Sequence, residues 1–433
     1  DFIVTSEGKA AYTLSNGCLI NDSDKSFALF ANSNTTFGIS RVNFENFYVD
    51  AKSAGNAAFV LARGDRKVNV EAVSLKNISL KSDFGSKYTG LLVGASGTLA
   101  GSVGVTVSNV KGDKLLIVSE STENVGGLVG YSETAVSLNQ SNIDIEVFRN
   151  RASEITDGTS SVVAGLVGTS IARGYGLQDT ISINVSAVDV HDASSIVGGL
   201  VGFGAGSTMD FVMTKSVVTG SVNVYSKKND PGYARERVLM GGLVGCWSIQ
   251  SGTSNFNVLE DSVVLDVFLS GAASKLGYVG GLLGYADALG SSDFKMNFEN
   301  VSFNGKVYSE DSQLEKVYAG GILGGFVASK DAILSMESVR INALVSNDGL
   351  MSNIFMGGMA GLIEDVSDLK ITKSYAWGLD DNLLYAKASG GTDISYYVGG
   401  IVGFLNKARS SEISNAFARG AIAVYGGKNN GAS

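Results

Sequence analysis

Two hydrophobic patterns alternate along the chain, and neither has a helical period. The first is alternation of apolar and polar residues. In "SNIDIEV" (Ser141–Val147), Ile143, Ile145 and Val147 share one side. "TISINVSAVDV" (Thr180–Val190) alternates through Ile181, Ile183 and Val185, slips by one residue, and resumes at Val188 and Val190. "SVVTGSVNVY" (Ser216–Tyr225) and "SVVLDVFL" (Ser262–Leu269) follow the same rule. Side chains two apart lie on one face of a strand, so the pattern predicts half-buried β-strands. The one-residue slip predicts a corner between two strands. The second pattern is a short apolar run that opens on glycine, as in "VGGLVGYS" (Val125–Ser132).

The glycine-led run recurs. Its last glycine falls at Gly94, Gly130, Gly168, Gly202, Gly245, Gly284, Gly324, Gly361 and Gly403, at intervals of 36, 38, 34, 43, 39, 40, 37 and 42 residues. Two copies without the glycine pair precede them, "FALFANS" (Phe27–Ser33) and "AAFVLARG" (Ala57–Gly64). Weakened terminal copies are expected of a stacked array, whose end units meet different neighbours. Residues 1–88 are therefore read as degenerate coils or a cap, and 89–433 as one continuous run of repeats.

One unit holds a Gly-rich apolar strand and one or two β-branched strands, too little to bury its own apolar face. Stacking like strands in parallel, about 4.8 Å apart, solves this. The expected fold is an all-β parallel β-solenoid of about eleven coils, a rod of about 50 Å. A propeller is disfavoured by too many units and by the lack of four clear strands in each. Glycine repeated at one coil position means that a side chain is forbidden there. Either the backbone needs φ > 0, or a neighbouring backbone passes close by.

Composition narrows the class. With 56 glycines but one proline, Pro231, the chain is neither collagen nor a Pro-rich linker. A net charge of −9 disfavours a phosphate-binding face, so no nucleic-acid partner is expected. The Arg-Gly-Asp tripeptide at Arg63–Asp65 is too short a match to carry weight. No apolar run is long enough for a membrane span. The start at Asp1, without a methionine, reads as a processed or trimmed part of something longer. Cys18 and Cys246 lie about six coils apart, roughly 29 Å, beyond disulfide reach. Two free, buried thiols are expected. Sequons occur at Asn21, Asn34, Asn77, Asn139, Asn184 and Asn300, and matter only if the chain is secreted by a glycosylating cell.

The recurring "GGLVG" core resembles the GLUG repeat. That family is found in large secreted and surface proteins, including bacterial immunoglobulin A metallopeptidases, outside their catalytic part. The resemblance implies a repetitive extracellular or cell-surface β-rich stalk or adhesive region, and it carries no catalytic residue across. The first two units depart from the motif.

Little chemistry is visible. His191 is the only histidine, and no HExxH, CxxC or calcium nonapeptide is present, so no catalytic, metal or cofactor site is expected. Acidic and basic residues matched on adjacent coils, which a polysaccharide-active β-helix needs, do not stand out. Long segments precede the glycine pair, notably Ser226–Met240 and Trp377–Tyr397, and would project from one edge of a solenoid. Tyr233, Arg235, Arg237, Trp377, Tyr385, Tyr396 and Tyr397 are the candidate contacts there for a glycan or protein ligand. The expected role is a non-enzymatic extracellular scaffold. A filament subunit joined head to tail through open ends and a polysaccharide-active enzyme are the alternatives.

Overall fold

The computed structural model describes residues 2–5, 11–21, 25–52, 55–83, 85–97, 104–120, 123–150, 161–171, 174–178, 182–190, 195–225, 235–270, 274–290, 293–310, 314–328, 331–349, 353–388 and 395–425. The described residues form strands and no helix. Four parallel sheets of ten, eleven, twelve and twelve strands run side by side along the stack, here numbered I to IV in that order within a coil. The parallel β-solenoid expected from the periodicity is the observed fold.

One coil shows the plan. Asn124–Gly126 belongs to sheet I, Val129–Ser132 to sheet II, Val136–Asn139 to sheet III and Asn142–Asn150 to sheet IV. Each residue pairs with its counterpart one coil away: Val125 with Val163, and Ile145 with Val185. A complete coil thus carries four strands, one or two more than the sequence suggested. They still do not make a propeller blade, because strands pair between units and not within one.

The glycine motif is a bend and not a strand. Gly126 ends one strand and Val129 begins the next, with Gly127 and Leu128 at the apex. Stacking satisfies the bent backbone: Gly127 N–H donates to Ala164 O at 3.1 Å, and Leu128 N–H to Leu166 O at 2.8 Å. None of the nine marker glycines has positive φ, which leaves close approach as the cause. At Gly242 an added Cβ would lie within 3.0 Å of Gly281 O in the next coil and of Leu265 Cδ1. At Gly245 it would meet Gly202 O and Val197 O, both at 2.8 Å. Atoms held in a ladder cannot step aside.

The opposite corner, between sheets III and IV, uses another device. Arg41, Ala72, Asn109, Gln140, Lys215 and Glu260 have φ between 48° and 61°, turning the chain in a single left-handed residue. The next residue is buried: Val42, Val73, Val110, Ser141, Ser216 and Asp261. The strand Ser182–Val190 runs unbroken where the one-residue slip had suggested a corner. Its inward positions are Ile183, Val185, Ala187 and Asp189.

A continuous apolar core fills the coils, including Trp247 packed against Phe211 and Phe256 at 5.6 and 5.7 Å. A second cluster lies outside it, in the cleft between sheets I and II. It joins Val162, Ile196 and Leu239 to Cys246, Tyr285 and Leu362. Both cysteines are free, and Cys246 is buried as expected. Cys18 is exposed, contrary to expectation, because it sits in the first strand of sheet IV beside the exposed Tyr48.

Candidate functional site

The residues expected on a loop edge occupy two different sheets. Arg237, Tyr396 and Tyr397 lie in strands of sheet I, and Trp377 and Tyr385 in sheet IV. Tyr233 lies outside the described residues, and only the backbone of Arg235 is described. The segment read as a loop from Trp377 is strand through Ala388, with a bulge between Gly378 and Leu384 where Asp380 and Asp381 take positive φ and stand exposed. Trp377 is covered by the Arg419 guanidinium, 4.4 Å from its ring centroid. Tyr396 donates from its hydroxyl to Tyr425 O at 3.1 Å.

Tyr397 ends a ladder of stacked rings on sheet I. Tyr278 and Tyr318 are 4.7 Å apart, Tyr318 and Phe355 4.6 Å, and Phe355 and Tyr397 4.8 Å, with interplanar angles of 21° or less. Each ring stands two residues ahead of the first glycine of its motif, a regularity present in the sequence and missed there. Stacked faces are shut to ligands, so the ladder serves as an apolar spine.

The same cleft is open near the N-terminal coils. A cavity of about 300 Å³ there is lined by Asn56, Arg63, Lys87, Tyr88, Tyr131 and Glu133. Tyr88 and Tyr131 stack at 4.5 Å, and Tyr131 donates to Glu133 Oε1 at 3.2 Å. Burial, followed by the Glu123 carboxylate, pushes the Tyr88 phenol up to about 12, so it stays a hydrogen-bond donor. Arg63 is tied to Asp65 at 2.7 Å, closing the Arg-Gly-Asp tripeptide on itself.

A groove of about 450 Å³ crosses the outer face of sheet IV, where Lys114, Asp144, Glu146, Asn184, Ser186 and Ser221 meet. Asn184 donates to Asp144 Oδ1 at 2.9 Å, and Thr219 donates to Asn184 Oδ1 at 3.0 Å. Carboxylates, an amine and amides on adjacent coils can hydrogen-bond a polyhydroxylated ligand. This mixed-charge grouping escaped the sequence reading.

A second charged match is sealed inside. Arg149 and Asp189 face inward on adjacent strands of sheet IV, both fully buried, with Nη1 and Oδ1 3.8 Å apart. No ligand reaches them. Among the sequons, Asn34 and Asn300 are exposed at turns. Asn139 is half-buried in sheet III, and Asn21 donates to Lys25 O and Lys52 O. The Asn77 amide donates to Asn46 at 2.9 Å, and that of Asn184 is held by Asp144. His191 lies outside the described residues. Among the described residues no group of His, Cys, Asp or Glu is placed to hold a metal ion, and no helix is long and apolar enough to cross a membrane. Comparison with family profiles, curated proteins and solved structures finds no match to this chain.

Proposed function

We propose that the protein is a non-enzymatic structural scaffold, an extracellular or cell-surface stalk that presents ligand-binding grooves along a rigid rod. The observation that carries this reading is the glycine corner, repeated in register from coil to coil with backbone packed on backbone. Such packing fixes the spacing between neighbouring coils, as a spacer requires. The resemblance of the corner motif to the GLUG repeat supports a surface location. The outer cleft at Tyr88 and Tyr131 and the groove at Asp144 and Glu146 are the faces on which a glycan or protein partner would dock.

Negative-stain electron microscopy across a concentration series, paired with binding to an immobilised glycan panel, tests the reading. Discrete rods of about 50 Å that are retained on at least one glycan support a stalk. Fibres with an axial repeat would replace it with a filament subunit. Rods that turn over a polysaccharide would replace it with an enzyme.

A further inference from the structure

The outer face of sheet IV carries a row of residues related by one coil each: Phe268, Tyr308, Ser346 and Tyr385. Phe268 and Tyr308 are 4.4 Å apart and cover one another, with Tyr225 next to Phe268 at 5.6 Å. On the far side, Tyr385 rests on Tyr425 at 5.4 Å. Ser346 is therefore a missing rung, with one aromatic ring above the gap and one below. The gap is a cleft of about 480 Å³ lined by Tyr308, Tyr385, Leu344, Leu384, Glu310 and Asp348.

Spacing and charge select the ligand. Tyr308 and Tyr385 belong to strands two steps apart, about 9.6 Å. That is too far for the rings to touch, and wide enough for a group lying within about 6 Å of both centroids, the range of a cation–π contact. The flanking carboxylates are Glu310 and Asp348, the latter bound to Lys387 at 3.1 Å. Burial, then the Asp266 and Glu310 carboxylates, raise the Tyr308 phenol. Leu344, beside Ser346 on the same face, offers an apolar wall for alkyl groups.

We propose that the vacant rung at Ser346 is a binding slot for an alkylated ammonium group, held between the faces of Tyr308 and Tyr385 with Glu310 as counter-charge. The assignment stands independently of the scaffold reading, since it rests on the register, ring geometry and charges around Ser346. Quaternary ammonium recognition by aromatic faces is a general use of the ring quadrupole.

The test titrates choline chloride into the full chain by NMR, against its neutral isostere 3,3-dimethyl-1-butanol. Saturable choline binding is expected, with the isostere weaker by about tenfold. Ser346→Tyr supplies the missing rung and should abolish binding while the melting temperature holds or rises. Tyr308→Ala should weaken binding from the other side. Absence of saturable choline binding, equal affinity for the isostere, or unchanged binding in Ser346→Tyr would each overturn the proposal. So would a neutral oligosaccharide that competes choline out while binding more tightly than it does.

Discussion

The corner at Gly280–Gly281, in the middle of the stack, and the corner at Gly399–Gly400, in the last described coil, share one motif but not one set of neighbours. An added Cβ on Gly280 would strike Leu283 O of its own coil, and Gly399 would strike Val402 O in the same way. The first glycine is therefore demanded by the bend itself. The second differs: Gly281 faces Gly321 O of the next coil and Phe303, whereas Gly400 faces Ala418 Cβ and nothing of a later coil. Stacking demands the second glycine. The side-chain columns agree. Val267, Val307 and Val345 are fully buried, while Ile422, in the same column, is 48% exposed. Each such burial is worth about 1.5–3 kcal/mol, so in this chain the last described coil is held less tightly than the middle ones.

The sharpest way to press this contrast uses ion pairs that bridge adjacent coils. Arg149→Ala leaves Asp189 charged in a closed interior and should cost about 3–5 kcal/mol in urea denaturation. Arg149→Met with Asp189→Leu should recover most of that loss. Its terminal counterpart, Lys407 with Asp365 at 3.3 Å, is exposed, and Lys407→Ala should cost less than about 1 kcal/mol. Equal costs for the two alanine variants would mean that the interior is not closed at Arg149.

Next come the glycines. Gly242→Ala has a neighbouring carbonyl to displace and should cost about 3 kcal/mol, against about 1 kcal/mol for Gly400→Ala, where the outermost coil can yield. Thermal melts of the two variants measure the difference. If Gly400→Ala is as damaging, the bend and not the stack sets the second position.

The last contrast concerns pH. Asp261 is buried at the corner between sheets III and IV and accepts from Ser216 N–H at 2.7 Å and Leu259 N–H at 2.9 Å. Burial outweighs those donors and lifts its carboxyl to about 7. The folded chain then holds a proton that the unfolded chain has lost between about pH 4 and 7. Stability from this group is full below that window and falls as pH rises through it, by at most about 1.4 kcal/mol per pH unit. Asp261→Ser, which copies Ser216 one coil earlier, should flatten that slope. An unchanged slope would assign it to other groups.

Alternation and the recurring glycines were enough for the strands, the repeat and the parallel stacking, because both are local and periodic. The glycine requirement was legible too, down to two alternatives that the stacked carbonyls then separated. The left-handed corner residues were not, since Arg41, Ala72 and Glu260 carry no turn signal. Nor was the inward placement of Arg149 and Asp189. A charge at the end of an alternating strand reads as outward until the alternation is followed through Val147 and Ala187.

By itself, then, the sequence determined a repeating parallel β-stack whose glycine corners exclude side chains. Only the tertiary structure decided which side chains of successive coils meet: the stacked rings from Tyr278 to Tyr397, the buried Arg149–Asp189 pair and the gap at Ser346. The reason is geometric. Repeat intervals vary between 34 and 43 residues, so partners on neighbouring coils cannot be found by counting along the chain. Hydrogen-bond register between coils aligns them, and register exists only once the coils have stacked.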